Sequence, residues 1–296
     1  MGKIFKITES QLRFLKQNIK NEILNSKKSN LIDESVGVSD EVLRATKELH
    51  DKALIHSDEL ITGNKVSFKL CINDFVNIDV NLFPSTNTEG ESYYKTNRKM
   101  AFINIKVKII NNKIDWPAFM DTAQHEVNHV FEQDMVRKTC YSQASLEAKS
   151  MIYDKNINNR VLGIIAYISD PFEQQGMING MYAFINQCKK DGSLPVNVSK
   201  IDAYQQLAKL YAAKNFMEDH KNDENLLKNI HPEERIGFGW TRRKFRNRAK
   251  EGIKNLELKI QRTLKKCKED GLSENGIVVE GEEEFLNNIA NNNISL

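Results

Sequence analysis

The fold is decided by one stretch, residues 101–131, which reads AFINIKVKIINNKIDWPAFMDTAQHEVNHVF. In its first part Ile103, Ile105, Val107 and Ile109 alternate with Asn104, Lys106 and Lys108, the period of two that marks a strand with one buried face. The period then changes. Asp115 can cap a helix whose first turn contains Pro117. At about 100° per residue Trp116, Met120, Ala123, Val127, Val130 and Phe131 fall on one apolar stripe. The spacing predicts a helix over 115–136, with His125 and His129 one turn apart on the side away from that stripe.

Outward from this stretch, Val66 to Ile72 and Ile78 to Leu82 are short alternating runs broken by Gly, Pro and Asn. The β region is confined to residues 66–110. Before it come an opening helix, with Thr8 at its cap and Leu12, Leu15, Ile19 and Ile23 at helical steps, a polar linker from Asn25 to Ser39, and a helical stretch over 40–60. After it, helices are expected over 142–154, 158–168, 171–189, 201–229 and 233–269, separated by breaks such as Lys190 to Pro195. No internal repeat is seen. The order gives an α+β class, a small mixed sheet packed on the helix at 115–136 with a mainly helical C-terminal half. It divides into an N-terminal helical segment (1–60), a core (61–190), a helical region (191–270) and an acidic polar tail (271–296).

The 296 residues carry 43 Lys and Arg against 40 Asp and Glu and are 40% hydrophobic, a balance that sets aside wholesale disorder and membrane insertion. No run approaches the roughly 18 apolar residues of a spanning helix, and no apolar export signal follows the first lysines, so a cytoplasmic location is expected. Cys71, Cys140, Cys188 and Cys267 lie far apart without a CxxC pair and read as free thiols. The near-neutral total hides segregation. Residues 235–268 are crowded with Lys and Arg, either a solvated helical face or a surface that lies along phosphates of nucleic acid, and Glu280 to Glu284 is acidic.

His125-Glu126-Val127-Asn128-His129 spells HExxH, in which two histidines one turn apart bind one metal ion and the Glu handles a proton. Six histidines placed at random would give about 0.02 such motifs in a chain of this composition, although two solvent-facing histidines on an amphipathic helix would look the same. The adjoining strand could hold an extended peptide through its free N–H and C=O groups. The order of strand and HExxH helix, over roughly residues 64–189, resembles the zincin metallopeptidases. The resemblance implies a zincin-like fold, peptide-bond hydrolysis of a peptide or protein substrate, zinc (Zn2+) held by His125 and His129, and Glu126 as the general base that activates a zinc-held water.

A third ligand is required. No third His follows at the short metzincin spacing, and the gluzincin branch takes a Glu from a later helix. Glu173 is the choice, because Glu173, Gly176, Gly180 and Ala183 share one helix face whose small residues allow close approach. Asp170 and Glu173 also form a capping-box-like pair that needs no metal. Glu147 is the rival, but Gln143 to Lys149 lacks the Asn-Glu…Ser-Asp pattern of thermolysin-like enzymes. Asp121 and Asp170 are candidates to hold an imidazole N–H, and Tyr167, Tyr182, His220 and His231 to stabilise an oxyanion.

Lys6 to Arg13 resembles short helical leaders of tailed-phage proteins, including crAss-like phages, which implies association with virion proteins. The alternative function is accordingly a non-enzymatic structural or nucleic-acid-associated virion protein with an incidental or structural metal site.

Overall fold

In the computed structural model, which describes residues 39–73, 76–95, 100–136, 151–220, 242–273 and 276–290, the alternating runs form a small mixed sheet. Strand β1 (Val66–Asn73) pairs antiparallel with β2 (Val76–Ser85). β2 runs parallel to β4 (Met100–Ile110), and β4 pairs antiparallel with β3 (Glu89–Lys95), giving the order β1-β2-β4-β3. The two-residue strand β5 (Lys113–Ile114) folds back on the end of β4. Asn111 and Asn112 make that turn at φ 50° and 58°, a left-handed pair that asparagine tolerates and a tight hairpin requires.

Leu70, Ile78, Val80, Leu82, Ala101, Ile103, Ile105 and Val107 form the buried face of the sheet. The other face carries a polar ladder. Ser67 Oγ donates to Asn81 (2.8 Å), Asn81 to Asn104 (2.9 Å) and Asn104 to Glu91 (2.7 Å), one residue from each of the four strands. The alternation read in residues 101–110 is thus the division between core and surface. The structure corrects one use of it: β4 lies inside the sheet, paired on both sides, and β1 and β3 are the edges among the described strands.

Helix α1 (Asp40–Ile55) starts at Ser39, whose Oγ accepts from Val42 N–H, and a break at His56 separates it from the short α2 (Ser57–Ile61). Helix α3 (Trp116–Val136) follows β5, then α4 (Ile157–Ile168), α5 (Pro171–Lys190), β6 (Val196–Asn197), a 3-10 turn (Val198–Lys200), α6 (Asp202–Asp219), α7 (Arg242–Glu269), β7 (Val279–Glu280) and α8 (Glu282–Ala290). The described residues, all from Ser39 onward, belong to one compact unit. The opening helix expected over Thr8 to Ile23, Cys140 and the stretches 137–150 and 221–241 lie outside the described residues. No helix of the described residues is long and apolar enough to cross a membrane.

Helix α3 packs under β3 and β4, beside α1 and along α5. The expected one-sided burial is therefore wrong. Phe119, Ala123, Val127 and Val130 are buried as an apolar face should be, but Asp121, Gln124, Glu126, Asn128 and His129 are buried too, because α5 covers the side that carries the histidines. A second core of Leu162, Ile165, Met177, Met181, Leu207 and Leu256 joins α4 to α7. The acidic segment after α7 is tied to the helical region. Val279–Glu280 pairs in parallel with Val196–Asn197, Tyr204 Oη donates to Glu282, and the Tyr204 and Phe285 rings meet edge to face at 5.3 Å. Glu282, Glu283 and Glu284 form the first turn of α8, where negative charge faces the positive end of the helix dipole.

Candidate metal centre

Two helix starts aim the side chains. At α3, Asp115 Oδ1 accepts from Ala118 N–H (3.2 Å) and its carbonyl from Phe119 N–H (2.9 Å), so two bonds to one residue fix the helix more than two turns before His125. At α5, Pro171 is the first residue and Asp170 Oδ1 accepts from Phe172 N–H (2.9 Å). Asp170 thus makes the cap, while the Glu173 carboxylate turns to the imidazoles.

His125 Nε2 and His129 Nε2 are 2.9 Å apart. Glu173 Oε2 lies 3.3 Å from His129 Nε2 and 3.5 Å from His125 Nε2, across 44 residues of sequence from His129. His125, His129 and Glu173 are the one group of its kind among the described residues. A tetrahedral ion with bonds of about 2.0–2.1 Å keeps its ligand atoms about 3.3–3.4 Å apart. The observed triangle has its centre about 1.9 Å from each corner, so such an ion fits slightly above its plane. Two imidazoles and one carboxylate suit zinc or another first-row divalent ion, whereas magnesium and calcium prefer all-oxygen sites.

Close helix packing makes the triangle possible. A Cβ at Gly176 would stand 3.1 Å from His125 Cε1 and Nε2, and one at Gly180 would stand 2.7 Å from the Asp121 carbonyl oxygen. Burial pushes the Glu173 carboxyl up, but hydrogen bonds from His125 and His129, and then their charge, outweigh it and hold the group well below the usual carboxylate range. Tyr167 donates its hydroxyl to Glu173, and burial together with that carboxylate raises the phenol well above its ordinary value. This Tyr therefore stands at the centre as a partner of Glu173.

Glu126 is buried and lies against the edge strand. A Cβ at Gly90 would meet Thr122 Cγ2 at 2.5 Å, Glu126 Cγ at 2.6 Å and Glu126 Oε1 at 2.8 Å. Only a glycine lets β3 pass so close to this carboxylate.

The other candidates are engaged elsewhere. Asp121 accepts the backbone N–H of Asp202, at the start of α6, whose N-cap Ile201 supplies no side chain for the purpose; burial and then the charge of Asp202 raise its carboxyl well above the ordinary range. Tyr182 donates to Asp270 (2.7 Å). His220 is exposed, its Nδ1 2.9 Å from the Phe216 carbonyl. Glu147 and His231 lie outside the described residues. A cavity of about 200 Å3 between α1, α3 and α5 is lined by Leu43, Thr46, Met120, Gln124 and Tyr182 and by none of the three clustered residues.

The sequence reading missed a buried amide network between α3 and α5. Asn179 Nδ2 donates to Asn128 Oδ1 (2.7 Å), Gln124 Nε2 to the Asn179 carbonyl (2.8 Å) and Gln175 Nε2 to Asn179 Oδ1 (3.0 Å). It fixes the register of the two helices that carry the cluster, since a slide along the axis would strand buried amides. The available signal was a pair of amides four residues apart on each helix, Gln124 with Asn128 and Gln175 with Asn179. No family model, curated protein or solved structure matches the chain.

Proposed function

We propose that the protein is a zinc-dependent peptidase of the zincin type, in which His125, His129 and Glu173 hold the ion and Glu126 is the general base. The observation that carries this reading is the triangle of 2.9, 3.3 and 3.5 Å closed by a carboxylate from a separate helix, with a second buried glutamate placed between the two histidines in sequence. Three protein ligands also favour a working site, because a structural zinc is closed by four, and the described residues offer three.

Zinc bound there would polarise a carbonyl and bring the pKa of a water toward about 7. The chain's own groups do the rest. Glu126 accepts the proton of the attacking water on its carboxylate and returns it to the leaving amine. Tyr167 and the capped start of α5 keep Glu173 turned to the histidines. The outer edge of β3, which pairs with no other strand among the described residues and which Glu126 touches through Gly90, offers backbone donors and acceptors to an extended peptide or protein substrate. This role passes to β3 from β4, whose edges are both used.

The test is metal content and peptidase activity on a mixed peptide library. One zinc per chain, lost in His125→Ala, His129→Ala and Glu173→Ala, is expected. Glu126→Gln should keep the zinc and lose hydrolysis by about 10²-fold or more. Hydrolysis that survives in Glu126→Gln at the wild-type rate would refute the mechanism.

A further inference from the structure

Helix α7 carries twelve Lys and Arg against three Glu, a formal +9 in a chain whose total is +3. The structure sorts these charges by face. Phe245, Ala249, Ile253, Leu256, Ile260 and Cys267 are buried in the helical core. At about 100° per residue, Arg243, Lys250, Lys254, Lys265 and Lys268 fall within an arc of about 60° whose centre lies about 130° round the helix from that of the buried residues, and all five are exposed. Asn247 and Gln261 share the stripe, and no acidic residue lies within the arc. At 1.5 Å per residue the stripe is about 38 Å long.

We infer that this face of α7 binds the phosphate backbone of double-stranded DNA, independently of base sequence. Arg243, Lys254 and Lys268 have no ion pair among the described residues. Lys250 meets Glu218 at 3.3 Å and Lys265 meets Glu269 at 3.7 Å, surface pairs weak enough to be exchanged for phosphate. The three cations from 243 to 254 and the two at 265 and 268 form two groups about 17 Å apart, a separation that reaches the phosphate lines on either side of a major groove about 12 Å wide.

Other polyanions fit less well. Single strands are held on exposed aromatic platforms, and the one aromatic of α7, Phe245, is buried. A helix that lies in a bilayer surface needs a free apolar face, and that of α7 is used by the core. The deep, narrow major groove of duplex RNA offers no comparable seat. The inference does not depend on the metal centre.

Fluorescence anisotropy of the full-length protein with a 24-base-pair duplex of mixed sequence, titrated from 50 to 250 mM KCl, tests it. Five phosphate contacts predict a slope of log K on log salt of about −4.5. The triple variant Arg243→Gln, Lys254→Gln, Lys268→Gln should lower the slope to about −2 and weaken binding more than about tenfold at 100 mM salt, with zinc content and melting temperature unchanged. A control triple, Lys113→Gln, Lys155→Gln, Lys190→Gln, should bind as wild type does. Absence of binding at 50 mM salt, wild-type binding by the α7 triple, or tighter binding to single-stranded DNA, duplex RNA or phosphatidylserine vesicles would each overturn the assignment.

Discussion

Gly180→Ala probes how closely α5 must lie on α3 to present Glu173. The added methyl would press on Asp121, 2.7 Å from its carbonyl oxygen. That carbonyl belongs to the hydrogen-bonded backbone of α3 and cannot rotate away. Ordinary carbon-oxygen contact begins near about 3.4 Å, so the helices must part locally by about 0.7 Å. Glu173 lies seven residues, about 10 Å, up the same helix, and a stiff helix carries the displacement to it. A zinc-oxygen bond of about 2.0–2.2 Å tolerates errors near 0.2 Å, so the third bond is lost or rebuilt. Zinc affinity, measured by competition with a chromophoric chelator, should fall by about 10²-fold or more. The fold should suffer less. Overpacking costs about 1–3 kcal/mol, and alanine returns about 1 kcal/mol of helix preference. In EDTA the melting temperature should therefore drop by no more than about 8 °C at 2–4 °C per kcal/mol. Zinc affinity within twofold of wild type, with an unchanged melting temperature, would show that α5 does not need this approach.

Gly90→Ala should displace Glu126, so peptide hydrolysis falls by about tenfold or more while the zinc content holds; a normal rate would mean that the β3 contact does not position the base. Asp121→Asn removes an ionisation and keeps an oxygen acceptor for Asp202. Because burial and the charge of Asp202 raise the folded pKa of Asp121, its stabilising contribution is complete below the unfolded value of about 3.9 and is lost as pH rises through the folded one. The variant should accordingly melt above wild type at pH 7.5, with the gap closing near pH 3.5, and a variant less stable at both would contradict this. Zinc at one hundred times its dissociation constant should stabilise the protein by about 2.7 kcal/mol, or roughly 5–11 °C, in calorimetry, and Glu173→Ala should abolish the rise.

β4 and α3 were legible because the hydrophobic period switches from two to helical within residues 101–131. β3 was not. Glu89–Lys95 has Gly90 and Ser92 where a strand usually shows apolar residues, since Gly90 must clear Thr122 and Glu126. The partners of α3 were equally hidden. An apolar stripe identifies the face that meets hydrophobic neighbours, but the buried His129, Asn128 and Glu126 lie beside Glu173 and Asn179 of α5 and Gly90 of β3, which one helix cannot declare. The small-residue face of α5 was readable from Gly176 and Gly180, whereas the choice between cap and ligand for Glu173 was not. Both uses fit the same four residues, and the outcome depends on imidazoles 44 and 48 positions away from Glu173. Glu280, Glu282, Glu283 and Glu284 read as solvated charge and are exposed, whereas the pairing of β7 with β6 was hidden because it is a contact between distant segments.

The position of Glu173 raises a mechanical question, because a candidate ligand in the first turn of a helix sits where helices fray most easily. Its own cap accounts for part of the rigidity. The rest comes from α7. Gln174 Nε2 donates to the Gly252 carbonyl at 2.9 Å, and Arg248 Nη2 donates to the Ala166 carbonyl at 2.9 Å, contacts that span 78 and 82 residues. Gly252 lies against Ser169, where a Cβ would come within 2.8 Å of the serine Cβ. The corner that carries Tyr167, Asp170 and Glu173 is therefore clamped from behind by the inner face of the helix whose outer face is basic. Neutralising the outer cations leaves every one of these contacts in place, whereas Gly252→Ala would push on Ser169 and loosen the corner. Loss of zinc affinity in Gly252→Ala, with no such loss in the α7 triple, is the pattern this division of faces requires.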